Sequence, residues 1–275
     1  MSMSMTYSPA ARTGSRTPSG LLRPLGRQAR QLLLPTGTTV AILLAWEIVV
    51  RAYAVPVSLM PAPSVIFARL MESRGAILAH TIPTATETVL SFLLATVLGI
   101  VLAIALTYSR TLKSAVYPGV VLFQLIPKVA LAPLFVVWFG IGSESRLAFG
   151  VFIAFFPIVI ATMAGLRDTP PDMLRLCRVL TATNWQMFMS VRMPYAVPHI
   201  FSGMKISVTF AIIGVIVAEF ITAQRGLGYL IVFASSQADT PLILAAIFAL
   251  CVVGLLLYGA VGLAEKIAAR FYGAS

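Results

Sequence analysis

Acidic side chains are scarce in this sequence: nine Asp and Glu stand against twenty Lys and Arg in 275 residues. Charged residues of both signs make up only 11% of the chain, where a water-soluble domain carries roughly a quarter. That shortage, with 59% hydrophobic residues and a mean hydropathy of +0.94, excludes an ordinary soluble domain and indicates an integral membrane protein. Cysteine and histidine are scarcer still. Cys177 and Cys251 are too few for a disulfide framework, and His80 and His199 lack neighbours at ligand spacing, so no metal or cofactor is expected. No catalytic constellation is visible, so an enzyme is not expected. The net charge of +11 would suit nucleic acid, but no basic segment interleaved with aromatics lies outside the loops. No nucleic-acid partner is expected, and the basic residues are read as setting orientation in the bilayer.

What the chain does have is long apolar runs. Spans are expected over about residues 33–55, 83–108, 115–139, 147–166, 200–222 and 242–263, giving an all-α membrane protein with six transmembrane helices. The third is interrupted by Pro127, Lys128 and Pro133. Residues 63–73 read as a short surface helix, and 224–240 as a Gly-rich connection with a half-buried helix. Residues 1–32 hold five arginines and no acid; they read as a disordered basic cytoplasmic tail, with an organellar transit peptide as the other reading of that composition. The membrane domain is then 33–272. With six spans and the N-terminus inside, fourteen of the twenty basic residues fall on the cytoplasmic side and five outside, with Lys128 within a span. The positive-inside rule therefore places both termini and the loop 167–198 in the cytoplasm.

That loop is the longest basic interruption between spans, and it reads as two short helices joined by a turn. Thr169 is expected to cap the first, with Pro170 at its first position and Asp172 three after the cap. Leu176, Cys177, Val179 and Leu180 alternate with Arg175 and Arg178 to make an amphipathic surface. Thr183 and Asn184 start the second helix, which Pro194 is expected to end. So much apolar surface in a cytoplasmic loop must dock on something: a protein groove, or the membrane interface itself.

The residues Leu59-Met-Pro-Ala-Pro-Ser64, Pro127-Lys-Val-Ala-Leu-Ala-Pro-Leu-Phe135, Trp138-Phe-Gly-Ile-Gly142, Phe156-Pro157, Trp185-Gln186, Met193-Pro194, Pro198, Ala218-Glu-Phe220 and Gly226-Leu-Gly-Tyr229 resemble the permease subunits of binding-protein-dependent ABC importers. They are most similar to the nitrate, sulfonate and taurine branch, which also holds permeases for pyrimidine-type vitamin precursors. The resemblance spans about residues 35–272. It implies a bacterial inner-membrane, multi-pass permease working as a dimer, with separate ATP-binding subunits at the cytoplasmic loop and an extracytoplasmic solute-binding protein. No GxxxxGK[ST] phosphate loop occurs in the chain, so the ATPase is expected on another polypeptide. The family's EAA---G loop motif falls on Arg175, Leu176, Cys177 and Thr181; this sequence departs from it at all four, while Trp185 and Pro194 match.

For the translocation path the candidates are Pro127, Lys128, Pro133 and Glu219, since ionisable and helix-breaking residues inside spans tend to line cavities. Lys128 would favour anions; the competing reading is a lysine paired with Glu219, Glu87 or Glu47, or snorkelling to an interface. Glu219 reads as a gate, as a helix-capping group near the outer end, or as the partner of a cation. Gly214, Gly226 and Gly228 are expected to serve helix packing and a turn, Met187 and Met189 to be adaptable apolar contacts, and Glu47 and Arg51 to pair. The function expected is import of a small anion such as a sulfonate, taurine or nitrate. The alternatives are the same role for a pyrimidine- or riboflavin-type vitamin precursor, or a self-sufficient secondary transporter, for which no clear internal repeat is visible.

Overall fold

A computed structural model describes residues 24–222 and 224–272, with the backbone alone for residues 24–33 and 35. It is all-α: eleven α-helices and no strand among the described residues. Two units divide the chain near residue 54. In the first, α1 (Pro24–Ala52) begins inside the stretch read as a tail, whose residues 1–23 lie outside the described ones. Its Arg51 Nε meets Glu47 Oε1 at 2.6 Å, the expected i,i+4 pair.

The second unit holds the remaining helices: α2 (Pro63–Glu72), α3 (Arg74–Tyr108), α4 (Arg110–Leu125), α5 (Ala132–Phe139), α6 (Ser143–Arg167), α7 (Pro171–Val179), α8 (Asn184–Met187), α9 (Met193–Thr222), α10 (Leu227–Ser236) and α11 (Thr240–Tyr272). Four helical stretches among the described residues are long and apolar enough to cross a membrane: α3, α6, α8 continued through α9, and α11. The pair α4–α5 makes a fifth if counted as one span bent by 97°. The first expected span coincides with α1, which is not among them, so the count of six is not established. The bend follows from the prolines. Ile126 is held extended before Pro127, as a residue preceding proline must be. A single 3₁₀ turn, Lys128–Leu131, then leads into α5, where Pro133 occupies the first turn.

The centre of this unit is α3, α6 and α9. Lipid offers no hydrophobic drive for helices to associate, so close approach and interhelical hydrogen bonds must hold them. A Cβ on Gly214 would lie 2.9 Å from the Cα of Gly150 on α6. Ser207 donates to the Ala154 carbonyl at 2.6 Å and Ser91 to that of Leu147 at 3.2 Å. Phe149, Ile153 and Val159 of α6 and Val208 and Val215 of α9 fill the space between. At one end the surface helix α2 is tied to α11 by Arg69, which donates to Asp239 from Nε and Nη2 at 3.1 and 2.6 Å. That carboxylate and Glu72 hold the Arg69 guanidinium even more firmly charged than usual.

Candidate functional site

The loop between α6 and α9 takes the expected form of two helices and a turn, with two local differences. Thr169 does not cap α7: the cap position is Pro170, with no side-chain bond, and the Thr169 hydroxyl reaches back to the Leu166 carbonyl. Two prolines in succession set the chain direction instead, Pro171 opening the helix. The second difference is larger. Pro194 does not end the second helix; Asn184–Thr222 runs as one 39-residue helix. Residues Phe188–Arg192 form a wider π turn in which the Met193 N–H reaches the Phe188 carbonyl. Such a turn relieves the clash that a proline ring makes with the carbonyl four residues back. The start of this helix is as expected: Thr183 Oγ1 accepts from Gln186 N at 3.2 Å, and Gln186 Oε1 accepts from Thr183 N at 2.8 Å.

The turn between the two helices carries a conformational signature. Thr181 has φ +55°. Its N–H bonds to the Arg178 carbonyl and the Ala182 N–H to the Cys177 carbonyl, the paired closure that ends a helix on a left-handed residue. Glycine is the residue that adopts this conformation without strain. The position where the resemblance expects glycine thus keeps glycine's backbone shape while carrying a β-branched side chain.

Of α7 no residue is buried. Leu176, Val179 and Leu180 are 54, 77 and 68% exposed. Trp185 is exposed too and touches Phe188 at 5.8 Å between ring centroids. Arg175 makes only a long, exposed contact with Asp172. The base of the loop, by contrast, is anchored. Phe188 packs with Leu166, Ala196 and Ile200 and meets Tyr108 edge-on at 5.8 Å, and the Arg192 guanidinium sits 5.5 Å from the Tyr108 ring. Among the described residues the apolar side of this amphipathic element has no partner, and its packed base continues into a full-length spanning helix.

The path candidates fall in two places, Pro127, Lys128 and Pro133 at the bend and Glu219 apart from them. Lys128 sits in the 3₁₀ turn at the bend, half-buried, with Nζ 5.0 Å from the Phe156 ring and 5.5 Å from the Phe210 ring. Both rings belong to the middle stretches of their helices, so the ammonium lies at mid-depth. Among the described residues it forms no ion pair with Glu219 or Glu87; cation–π contacts stand where pairing with either was the competing expectation. Pro127 and Pro133 flank it and are exposed.

Glu219 lies nine residues, roughly 14 Å, further along α9, and is 2% exposed. Its Oε1 accepts from the Thr84 hydroxyl and its Oε2 from the Gly228 N–H, each at 2.7 Å. Thr84 Oγ1 in turn accepts from Leu227 N at 2.8 Å, and His80 Nδ1 from Gly226 N at 3.0 Å. Three successive N–H groups at the start of α10 are therefore satisfied by side chains of α3 and α9. Of the three readings for Glu219 the geometry is that of the helix cap, a carboxylate at a helix N-terminus. Gly226, at φ +115°, and Gly228 leave no room for a Cβ beside that carboxylate.

Sequence reasoning missed Thr84 and His80 as its helpers, and missed two ion pairs. Arg146 and Glu87, 4 and 7% exposed, bind through two bonds of 2.8 and 2.6 Å; Lys205 of α9 binds Glu265 of α11. The available signal was opposite charges on different spans.

Residues 95–269 match the family model described as the binding-protein-dependent transport system inner membrane component. The chain belongs to this family. The formylaminopyrimidine transport permease ThiX of Halalkalibacterium halodurans is 34% identical over 88% of this chain and 96% of its own. The putative aliphatic sulfonates transport permease SsuC of Bacillus subtilis is 30% identical over 86% of this chain and 84% of its own. Among solved structures, a chain of the MetNI methionine ABC transporter superposes with a TM-score of 0.62, covering 71% of this chain and 97% of that one at 18% identity, which shows the fold. The chain is thus an inner-membrane permease subunit of an ABC importer, a membrane component that belongs with an ATPase and a binding protein. The expected family, fold class and transport role are borne out.

Proposed function

We propose that two copies of this chain form the pore, that loop 167–198 receives the ATPase in the cytoplasm, and that the solute is a small anion. Both chain termini lie in the cytoplasm on this reading. It is carried by α7, whose Leu176, Val179 and Leu180 are exposed although all three are apolar. A helix with that face seats in a protein groove through anchors at i, i+3 and i+4. The 39-residue helix that starts at Asn184 is about 58 Å long. When the ATPase subunits close, a push on α7 and α8 tips this helix as a rod and turns the cavity outward to receive solute. The departures at Arg175, Leu176, Cys177 and Thr181 alter the side chains of the contact but not the helix and turn that present it. Trp185 and Pro194 sit where the push enters the rod.

The anion reading rests on Lys128, an ammonium at mid-depth with aromatic neighbours and no carboxylate partner among the described residues. A second reading, a pyrimidine-type vitamin precursor, is favoured by the 34% identity to a permease named for formylaminopyrimidine. The double variant Leu176→Asp, Leu180→Asp tests the coupling claim. It should insert normally, lose the ATP-binding subunit on purification and abolish ATP-driven uptake; retained subunit and uptake would assign α7 to the membrane interface instead.

A further inference from the structure

Between α9 and α11 lies an open cavity of about 320 Å³ lined by Ser202, Lys205, Ile206, Thr209, Phe210 and Tyr258. Ser202, Ile206 and Thr209 follow one another at helical spacing along the exposed face of α9, in the middle of the spanning helix. Hydrocarbon can solvate neither a hydroxyl nor an ammonium, so a polar side chain at this depth pairs within the protein or faces water or a ligand. The hydroxyls of Ser202 and Tyr258 have no hydrogen-bond partner among the described residues, whereas Thr209 Oγ1 donates to the Lys205 carbonyl. The charge of Lys205 is already met by Glu265. Phe210 joins this cavity to Lys128, whose ammonium lies 5.5 Å from the ring centroid. A cation over a ring keeps its N–H donors available.

We propose that this cavity and Lys128 together form a solute site within the permease for a small organic anion. The anionic group lies against the Lys128 ammonium, the body packs on Phe210 and Tyr258, and the Ser202 and Tyr258 hydroxyls supply hydrogen bonds. Volume decides between organic and inorganic anions. A water takes about 30 Å³ of liquid and small-molecule sites begin near 300 Å³, so a nitrate would leave most of the space empty. The site rests on the reading of this chain as an importer of anions, and deepens it.

The test uses single cysteines, Ser202→Cys and Thr209→Cys, in a background with Cys177→Ser and Cys251→Ser, in membranes carrying the assembled transporter. The probes are 2-sulfonatoethyl methanethiosulfonate and its trimethylammonium counterpart; each forms a mixed disulfide with the thiolate and releases methanesulfinate. The sulfonate reagent should label both positions at least tenfold faster than the cationic one, and Lys128→Gln should remove that preference. 1-Butanesulfonate should slow labelling where nitrate at equal concentration does not. Equal labelling by both reagents overturns the anion site while leaving the pore reading intact. Protection by nitrate equal to that by butanesulfonate overturns the organic assignment. No labelling by either reagent, in variants present at wild-type level, removes this face from the pore altogether.

Discussion

If the Glu219 carboxylate is the cap of α10, its replacements must fall in a particular order of stability. The carboxylate accepts one hydroxyl and one amide hydrogen bond at 2.7 Å, almost fully buried. Glutamine keeps the shape: its carbonyl can accept from Gly228 N while its amide donates to Thr84 Oγ1, whose hydrogen turns to the His80 carbonyl 3.2 Å away. What is lost is the charge, worth about 1 kcal/mol in two charge-assisted bonds and a further ~0.3–1 kcal/mol at the helix terminus. Glu219→Gln should therefore cost roughly 1–2 kcal/mol. Alanine leaves the buried Gly228 N–H without its acceptor, at about 1–3 kcal/mol, and a cavity where the side chain packed, at about 2 kcal/mol, so roughly 3–5 kcal/mol in total. Unfolding of the purified permease in detergent, followed by tryptophan fluorescence, measures both. Equal losses for Gln and Ala would show that charge, not bonding geometry, is what the site needs, and would refute the cap.

Substitutions at other sites of the fold have equally definite expected outcomes. Thr181→Gly should stabilise the protein by about 0.5–1 kcal/mol, since it relieves a left-handed β-branched residue at some cost in unfolded-chain entropy; a lowered midpoint in the same unfolding assay would contradict the φ of +55°. Gly214→Ala should separate α6 and α9 and cost about 1–3 kcal/mol, whereas Gly119→Ala, with nothing within 4 Å of its Cβ, should be neutral or favourable. Arg146→Ala should cost about 3–5 kcal/mol because Glu87 is left charged and buried, while the pair Arg146→Met, Glu87→Leu should recover most of it. A double variant no better than the single would mean the pair is required for more than its own neutralisation.

Long apolar runs made most of the fold legible, because spans and charge bias follow from composition alone. Particular residues show where that stops. Pro194 read as a helix end because the steric rule is local, but a π turn over Phe188–Arg192 absorbs the ring and the helix continues. Thr169 has the right chemistry for a cap, yet the prolines that follow it already set the chain direction. Lys128 stands out in the sequence as a charge between helix-breaking prolines; its aromatic neighbours come from α6 and α9, far away in sequence, and only the fold brings them together. Glu219 was narrowed to three roles, and the choice among them depended on Thr84 lying 135 positions away. The wide separation of these partners is why one-dimensional spacing could not name them. The two-helix outline of the loop was legible, while the left-handed turn at Thr181, a β-branched residue, was not.

The central claim is that the exposed face of α7 couples this permease to a separate ATPase. The most direct measurement is to purify the tagged chain from its native membranes, with Leu176→Asp, Leu180→Asp as the control, and identify what accompanies it. An ATP-binding subunit should come with the unaltered chain and be missing from the variant. Its absence from both, or its undiminished presence with the variant, would contradict the account.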